Sequence, residues 1–366
     1  LLDEEDLTRS TAVSQQKIKR FWRRFKDDDI RKSWASNNGG RKWAGDYLAW
    51  RESLRQRALV DMYKATKEVA FLDELVKRAK VVFSLRDDVR GKRDKVRGKV
   101  MKAWGRYPDV GTSHRTGTWV CEMVQNGMIT YPIADFVRIA HHSPALRARY
   151  GDKIARFRNK LVQTVDAFDD DWDSMGNEGF YRFPKGYGKI YPFFEGRVLH
   201  YNRPLALGRT MMMLEQAGIT DHRRHKFRKR VRMMARFFLR DTWKGKGGSR
   251  VWNFSRFNPS VENVSHGGII AGFIALAKKR DYTTVGRSDL EGFVETFLRI
   301  TRHRDRIAAT VDGKYGGYDQ KDSNQACGRW LDLAAHRRDL VKRCSWVLDH
   351  GFDTQQVGFA KSLRYR

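Results

Sequence analysis

An all-α fold is predicted by three observations. Proline is scarce, with seven in 366 residues; long segments carry apolar residues at helical spacing; and these segments come in pairs broken by short turn signals. Residues 44–66 read as the first helix, with Trp50, Leu54, Ala58 and Met62 on one stripe, and residues 69–86 return after a turn at 66–68. The next pair is 129–142 and 145–168, divided at Ser143 and Pro144. After it come 203–217 and 220–242, divided at 218–220, then 262–280 and 287–301. Residues 1–40 form an N-terminal helical arm, and 324–366 hold closing helices, one more pair over about 324–350 and a tail.

Between the pairs lie Gly- and aromatic-rich loops at 102–120, 171–201, 243–261 and 311–323. Loops of that length inside a compact chain usually carry function. Short turns at one end and long loops at the other predict hairpins set around a ring, an incomplete (α/α)6–7 toroid in a single domain, with the site on the loop face. No fixed-period repeat marks a solenoid.

Lys and Arg number 73 against 43 Asp and Glu, so the formal charge is 73 − 43 = +30. With 40% hydrophobic and 12% aromatic residues, that charge decorates a folded body. Its positive potential attracts polyanions, either nucleic acid or acidic polysaccharide. The longest apolar run, 267–277, is too short for a bilayer span. Cys121, Cys327 and Cys344 cannot all pair and make no metal site. The start at Leu1, without Met and without a signal-type apolar stretch, points to a trimmed, exported protein or a truncated chain, and the expectation taken is export, secreted or periplasmic.

The segment 222–240 sets Phe227, Val231, Met234 and Phe238 on a core stripe beside Arg224, Arg228, Arg232, Arg236 and Arg240. A solvated outer face explains it better than a polyanion track, because no zinc-finger, zipper or RNP-like pattern accompanies it. Nucleic acid therefore recedes as a partner. Asp169, Asp170, Asp171 and Asp173 lack calcium-loop spacing and read as a solvated helix end. His141 and His142 read as caps on helix carbonyls.

Two segments carry candidate chemistry. The first is His200, Tyr201, Asn202 and Arg203, at the end of a loop and the start of a helix. The second is Trp252 to Arg256 followed by Glu262, Asn263, Val264, Ser265 and His266. In the second, Ser260 is the expected cap, and Glu262, Ser265 and His266 fall on the first turn, where an anion is favoured. Gly267 and Gly268 cost helix propensity, which implies close approach by a neighbouring element. Tyr187, Tyr191 and Trp252 are candidate sugar-stacking rings, and Trp50 reads as core. His114 and Arg115, in the loop 102–120, are a candidate second base or carboxylate clamp.

Trp50-Arg51-Glu52-Ser53, Asp61 to Thr66, Leu85-Arg86-Asp87-Asp88, Gly127-Met128-Ile129 with Pro132-Ile133-Ala134, His200-Tyr201-Asn202 and Glu262 to Gly267 occur in that order over roughly residues 40–300. The series resembles that of α/α-toroid polysaccharide lyases acting on polyuronates, the glucuronan and alginate lyases. The chain has Asn263 where that family often has an acid, and Phe254 where it often has Tyr. The resemblance implies cofactor-free β-elimination: proton abstraction at C5 beside a carboxylate, then loss of the O4-linked sugar. Such a site must neutralise the carboxylate and supply a base and an acid. Expected catalytic residues are Tyr201 and His200, with His266, Asn202 and Arg203; expected substrate contacts are Trp252, Arg256, Glu262, Asn263, Tyr187, Tyr191, His114 and Arg115. No metal is expected. The alternatives are a uronyl C5-epimerase on the same scaffold and a non-enzymatic basic protein that binds nucleic acid or glycan.

Overall fold

The computed structural model describes residues 13–25, 44–108, 117–303, 306–316, 326–345 and 355–365. It is mostly helical. Helix α1 is Gln15–Arg24, α2 is Ala44–Tyr47, and a π-helical turn, Leu48–Glu52, joins α2 to α3, Ser53–Thr66. Lys67, at φ 62°, ends α3, and α4, Ala70–Ser84, runs back along it, with a single turn α5, Asp87–Arg90, beyond.

The hairpin α6 (Met123–His142) and α7 (Pro144–Asp166) turns at Ser143, whose hydroxyl accepts from the Leu146 N–H at 3.3 Å while Pro144 occupies the first turn. Helix α6 starts earlier than the residue 129 expected from periodicity, because it is buried on every side from Met123 to Ala140, polar residues such as Gln125 and Asn126 included, and so shows no exposed polar stripe to mark a beginning. Helices α8 (Asn202–Leu214) and α9 (Asp221–Arg240) are separated by Gly218 at φ 71°, where the added Cβ of another residue would lie 2.6 Å from the His141 ring. Helices α10 (Val264–Lys279) and α11 (Arg287–Ile300) complete the pairs.

Beyond them the expected pair over 324–350 is replaced, in its described part, by a short helix α12, Cys327–Trp330, and two 3-10 segments, Leu331–Ala335 and Arg338–Cys344, with a disulfide between Cys327 and Cys344. Cys121 is free and buried. Helix α13, Gln355–Arg364, follows.

Packing follows a consistent order. Helix α6 lies against α3 and, most extensively, α8; α8 lies against α10; α10 against α12; and α13 against both α12 and α3. Gly127 makes the α6–α8 crossing possible, since a Cβ there would sit 2.4 Å from the backbone of Ala206 and Leu207. The stripes expected on α3 and α9 are buried, Leu54, Ala58 and Met62 on one and Phe227, Val231, Met234 and Phe238 on the other.

The loops hold structure the periodicity did not foresee: four two-stranded antiparallel hairpins, pairing β1 (Arg93–Asp94) with β2 (Lys99–Val100), β3 (Trp172–Met175) with β4 (Glu178–Tyr181), β5 (Trp243–Lys244) with β6 (Arg250–Val251), and β7 (Asn253–Ser255) with β8 (Asn258–Val261). Strands of two to four residues are too short to show a period-2 pattern. Among the described residues no helix is long and apolar enough to cross a membrane.

Helix α9 is a paired surface. Arg224 pairs with Asp221, Arg228 with Glu215, Arg230 with Asp169, Arg240 with Glu178, and Lys226 with both Asp166 and Asp169. The aspartate run is likewise engaged, Asp170 with Lys99, Asp171 with Arg97 and Asp173 with Arg182. The His142 ring reaches the Gln216 carbonyl at 2.7 Å, at the end of α8.

Candidate functional site

Ion pairs tie the starts of α2, α6 and α8 together. Glu122, the residue before α6, is buried and receives Arg203 from the start of α8 at 2.7 Å, Arg106, and the Tyr187 hydroxyl at 2.5 Å. Arg106 also binds Asp46 of α2 at 2.7 Å, and Gln125 donates to Asp46 at 2.9 Å. Burial by itself would raise the Glu122 carboxyl, but Arg106 and Arg203 overcome it and hold the group well below the usual range. Their guanidiniums are held protonated in turn.

The start of α10 joins this end through aromatic rings. Asn263 caps the helix, its Oδ1 accepting from the His266 N–H at 2.9 Å, and its Nδ2 lies 2.9 Å from His266 Nδ1. Glu262, fully buried behind the cap, places Oε1 3.5 Å from His266 Nδ1 and 3.0 Å from the Asn263 N–H. Burial raises the Glu262 carboxyl, and His266 and the Asn263 N–H oppose that rise. The His266 side chain is 30% exposed, the Trp50 ring lies 6.2 Å away and the Phe254 ring 5.7 Å away. Arg329 stands over Trp50 at 5.4 Å and donates to the Ser265 carbonyl at 3.1 Å and hydroxyl at 2.6 Å. An imidazole with one nitrogen bracketed by an amide and a carboxylate, in a side chain that keeps some contact with solvent, can serve as a proton-transfer group.

Several expectations are corrected. Ser260 lies in β8, so the cap is Asn263 and Glu262 precedes the helix. Trp252 is fully buried among Phe238, Phe293 and Trp330, a core ring rather than a sugar platform. Tyr187 is buried with its hydroxyl committed to Glu122, and burial followed by that carboxylate pushes the hydroxyl up. Tyr201 is buried against Phe237 and Phe238 and donates to Asp241 at 2.6 Å. Burial first, then Asp241, raises its phenol, the reverse of what a Tyr base needs. Trp50, expected in the core, is half-buried at the site because the π-helical turn carries it.

His200 is brought to the same end, sharing the Phe254 ring with His266, in an apolar enclosure. Its ring is enclosed by Phe254 at 4.2 Å, Phe194 at 5.2 Å, Phe183 at 5.3 Å and Phe257 at 5.7 Å, and neither ring nitrogen has a hydrogen-bond partner. Burial, with Arg203 and His266 adding to it and Glu122 opposing, lowers the imidazole to about 2. Asn202 is buried with its Oδ1 unpartnered, and Arg203 is the α8 arm of the Glu122 network. Tyr191 is half-buried, stacked on Tyr187 at 6.0 Å. Arg256 is exposed, pairs with Asp241 at 3.1 Å and covers Phe237. His114 and Arg115 lie outside the described residues.

Glu122, Arg106, Asp46 and Arg329 were not anticipated. The Gly267–Gly268 pair was the one available signal for Arg329: a Cβ on Gly268 would lie 2.8 Å from Arg329 Cβ, and one on Gly267 would lie 2.9 Å from the Trp330 ring. Among the described residues no group of His, Cys, Asp and Glu has the arrangement of a metal site. No family model, curated protein sequence or solved structure matches the chain.

Proposed function

We propose that the chain is a secreted or periplasmic polysaccharide lyase of α/α-toroid architecture, cleaving an anionic uronate polymer by β-elimination. The order in which α3, α6, α8, α10, α12 and α13 pack, each on the next and the last on the first, supports the toroid reading. The Cys327–Cys344 disulfide supports an oxidising compartment. The observation that carries the function is the half-buried His266, backed by Glu262 and Asn263 and flanked by Trp50, at the end where the helix starts meet.

In this reading Trp50 supports a sugar ring, and Arg329 beside it neutralises the uronate carboxylate. His266 takes the C5 proton, the C4–C5 double bond forms as the C4–O4 bond breaks, and the proton passes from His266 to the departing O4. One residue can serve both steps where hydrogen and leaving oxygen share a face of the sugar. Stabilising the enolate-like transition state supplies the rate, since the C5 proton is otherwise a very weak acid.

A panel of glucuronan, alginate and sulfated uronate polymers, followed by ultraviolet absorbance of the unsaturated product and by product sizing, tests the proposal. His266→Ala should lower turnover by roughly 100-fold or more, while Tyr201→Phe should retain it, because that hydroxyl is spent on Asp241. Turnover of polymer with no unsaturated chromophore refutes elimination and favours epimerisation. Full activity in His266→Ala refutes the site.

A further inference from the structure

Beneath the proposed cleft, between α3, α6, α8, α10, α12 and α13, two small cavities share the walls Arg57, Tyr131 and Asp332. Their surroundings are buried and unusually rich in charge. Three carboxylates stand there. Asp135 takes Arg57 at 2.7 Å, Lys64 at 2.6 Å and Arg138 at 3.0 Å; Asp61 takes Arg57 at 3.0 Å and Arg364 at 2.9 Å; Asp332 takes Lys361 at 2.9 Å and Arg57 at 3.7 Å. Every acid is therefore already engaged by at least two cations.

Arg209 adds a sixth positive charge. It is 6% exposed and, among the described residues, has no carboxylate within ion-pair distance. One terminal nitrogen donates to Met128 Sδ at 2.9 Å, the guanidinium lies over the Tyr131 ring at 4.6 Å, and its Nε has no partner. Arg57 covers the same ring at 4.8 Å. Among the described residues the three carboxylates are thus taken by Arg57, Lys64, Arg138, Lys361 and Arg364, and Arg209 is left without an acid of its own. An uncompensated buried charge is costly unless a counter-charge accompanies it. Burial accordingly lowers the Arg209 guanidinium, with Tyr131 and Asp332 opposing.

We propose that the cavity lined by Arg57, Tyr131, Arg209, Lys361 and the already paired Asp332 is a binding site for one compact anion, a halide or a small carboxylate or nitrate-like oxyanion, that compensates Arg209. Its small size excludes a sugar ring, and the fork of a guanidinium suits a planar oxyanion. The site is structural, coupling α3, α8 and α13, and it does not depend on the lyase reading.

The test titrates chloride, nitrate and acetate into the full chain at constant ionic strength held by sodium HEPES, whose anion is too bulky to enter. Thermal unfolding is followed. A saturable rise of roughly 2–4 °C is expected for at least one anion. Arg209→Met, which keeps the stem and the contact with Met128 while removing the charge, should fold and lose the response. Preference for nitrate and acetate identifies the oxyanion form, and preference for chloride the halide. Bromide in crystals should give an anomalous peak beside Arg209 if the site takes halides. A flat or unsaturating response to all three anions in the wild-type chain overturns the proposal, as does an undiminished saturable response in Arg209→Met. Should that variant not fold, the wild-type titration alone still decides.

Discussion

Replacing His200 by Phe tests how the site is built. The imidazole is 3% exposed, ringed by four phenylalanines and without a partner for either nitrogen. Burial lowers it to about 2 in the folded chain, whereas an unfolded His titrates near ~6.5. The folded value lies below the unfolded one, so the unfolded chain binds the extra proton between these limits, and stability falls as pH drops through ~6.5. At pH 5 the loss is RT ln(1 + 10^1.5), about 2 kcal/mol, and at pH 4 it is about 3 kcal/mol. At pH 8 it vanishes. In urea, with m near ~3 kcal/mol/M, His200 should move the midpoint down by about 0.7 M between pH 8 and pH 5. His200→Phe carries a pH-independent repacking cost of roughly 1–3 kcal/mol. That cost cancels when midpoint changes between the two pH values are compared, as do the contributions of other titrating groups. His200→Leu provides a second variant of smaller volume. Equal midpoint changes in wild type and both variants would show that His200 is protonated in the fold, and would refute the burial argument.

Other outcomes follow from packing and linkage. Asp87 accepts from Gly105 N–H at 3.0 Å, Trp119 Nε1 at 2.6 Å and Cys121 Sγ at 3.4 Å, yet burial outweighs these donors and Arg90 and raises it to about 6. Here the folded chain binds the extra proton, so stability falls as pH rises from ~4 to ~6, by about 3 kcal/mol. Asp87→Asn should flatten that window in urea titrations, and an unchanged slope counts against it. Gly127→Ala drives a methyl into the Ala206–Leu207 backbone and should destabilise by more than ~3 kcal/mol, read as a lowered melting temperature. A variant as stable as wild type would refute the close α6–α8 crossing. The Cys327–Cys344 bridge spans 17 residues; reducing it, or Cys344→Ser, should cost about 3 kcal/mol. No change on adding reductant to denatured-and-refolded protein would show the bond absent.

The resemblance and the residue pattern both pointed to the starts of α8 and α10, and His266, Asn263 and Arg203 stand there with Glu262 behind them. What they missed was partners distant along the chain. Glu122 gathers Arg203 from 81 positions away and Tyr187 from 65. Nothing local to residue 122 distinguishes it from any acid before a helix. The surroundings of Tyr201 and His200 escaped the sequence for a related reason. Residue type and spacing describe what a side chain can do, while Asp241 beside one hydroxyl and four phenylalanines around one imidazole decide whether it does it.

From the amino-acid order alone came the helical class, four of the five expected hairpins, the core stripes apart from Trp50, and the close approach at Gly267–Gly268, since these rest on local periodicity, turn chemistry and backbone sterics. Only the tertiary structure decided which of the cations are paired, which rings are sealed and where Arg209, among the described residues, is left without a carboxylate. Charge compensation and burial depend on distances through space between residues far apart in sequence, and no local pattern encodes them.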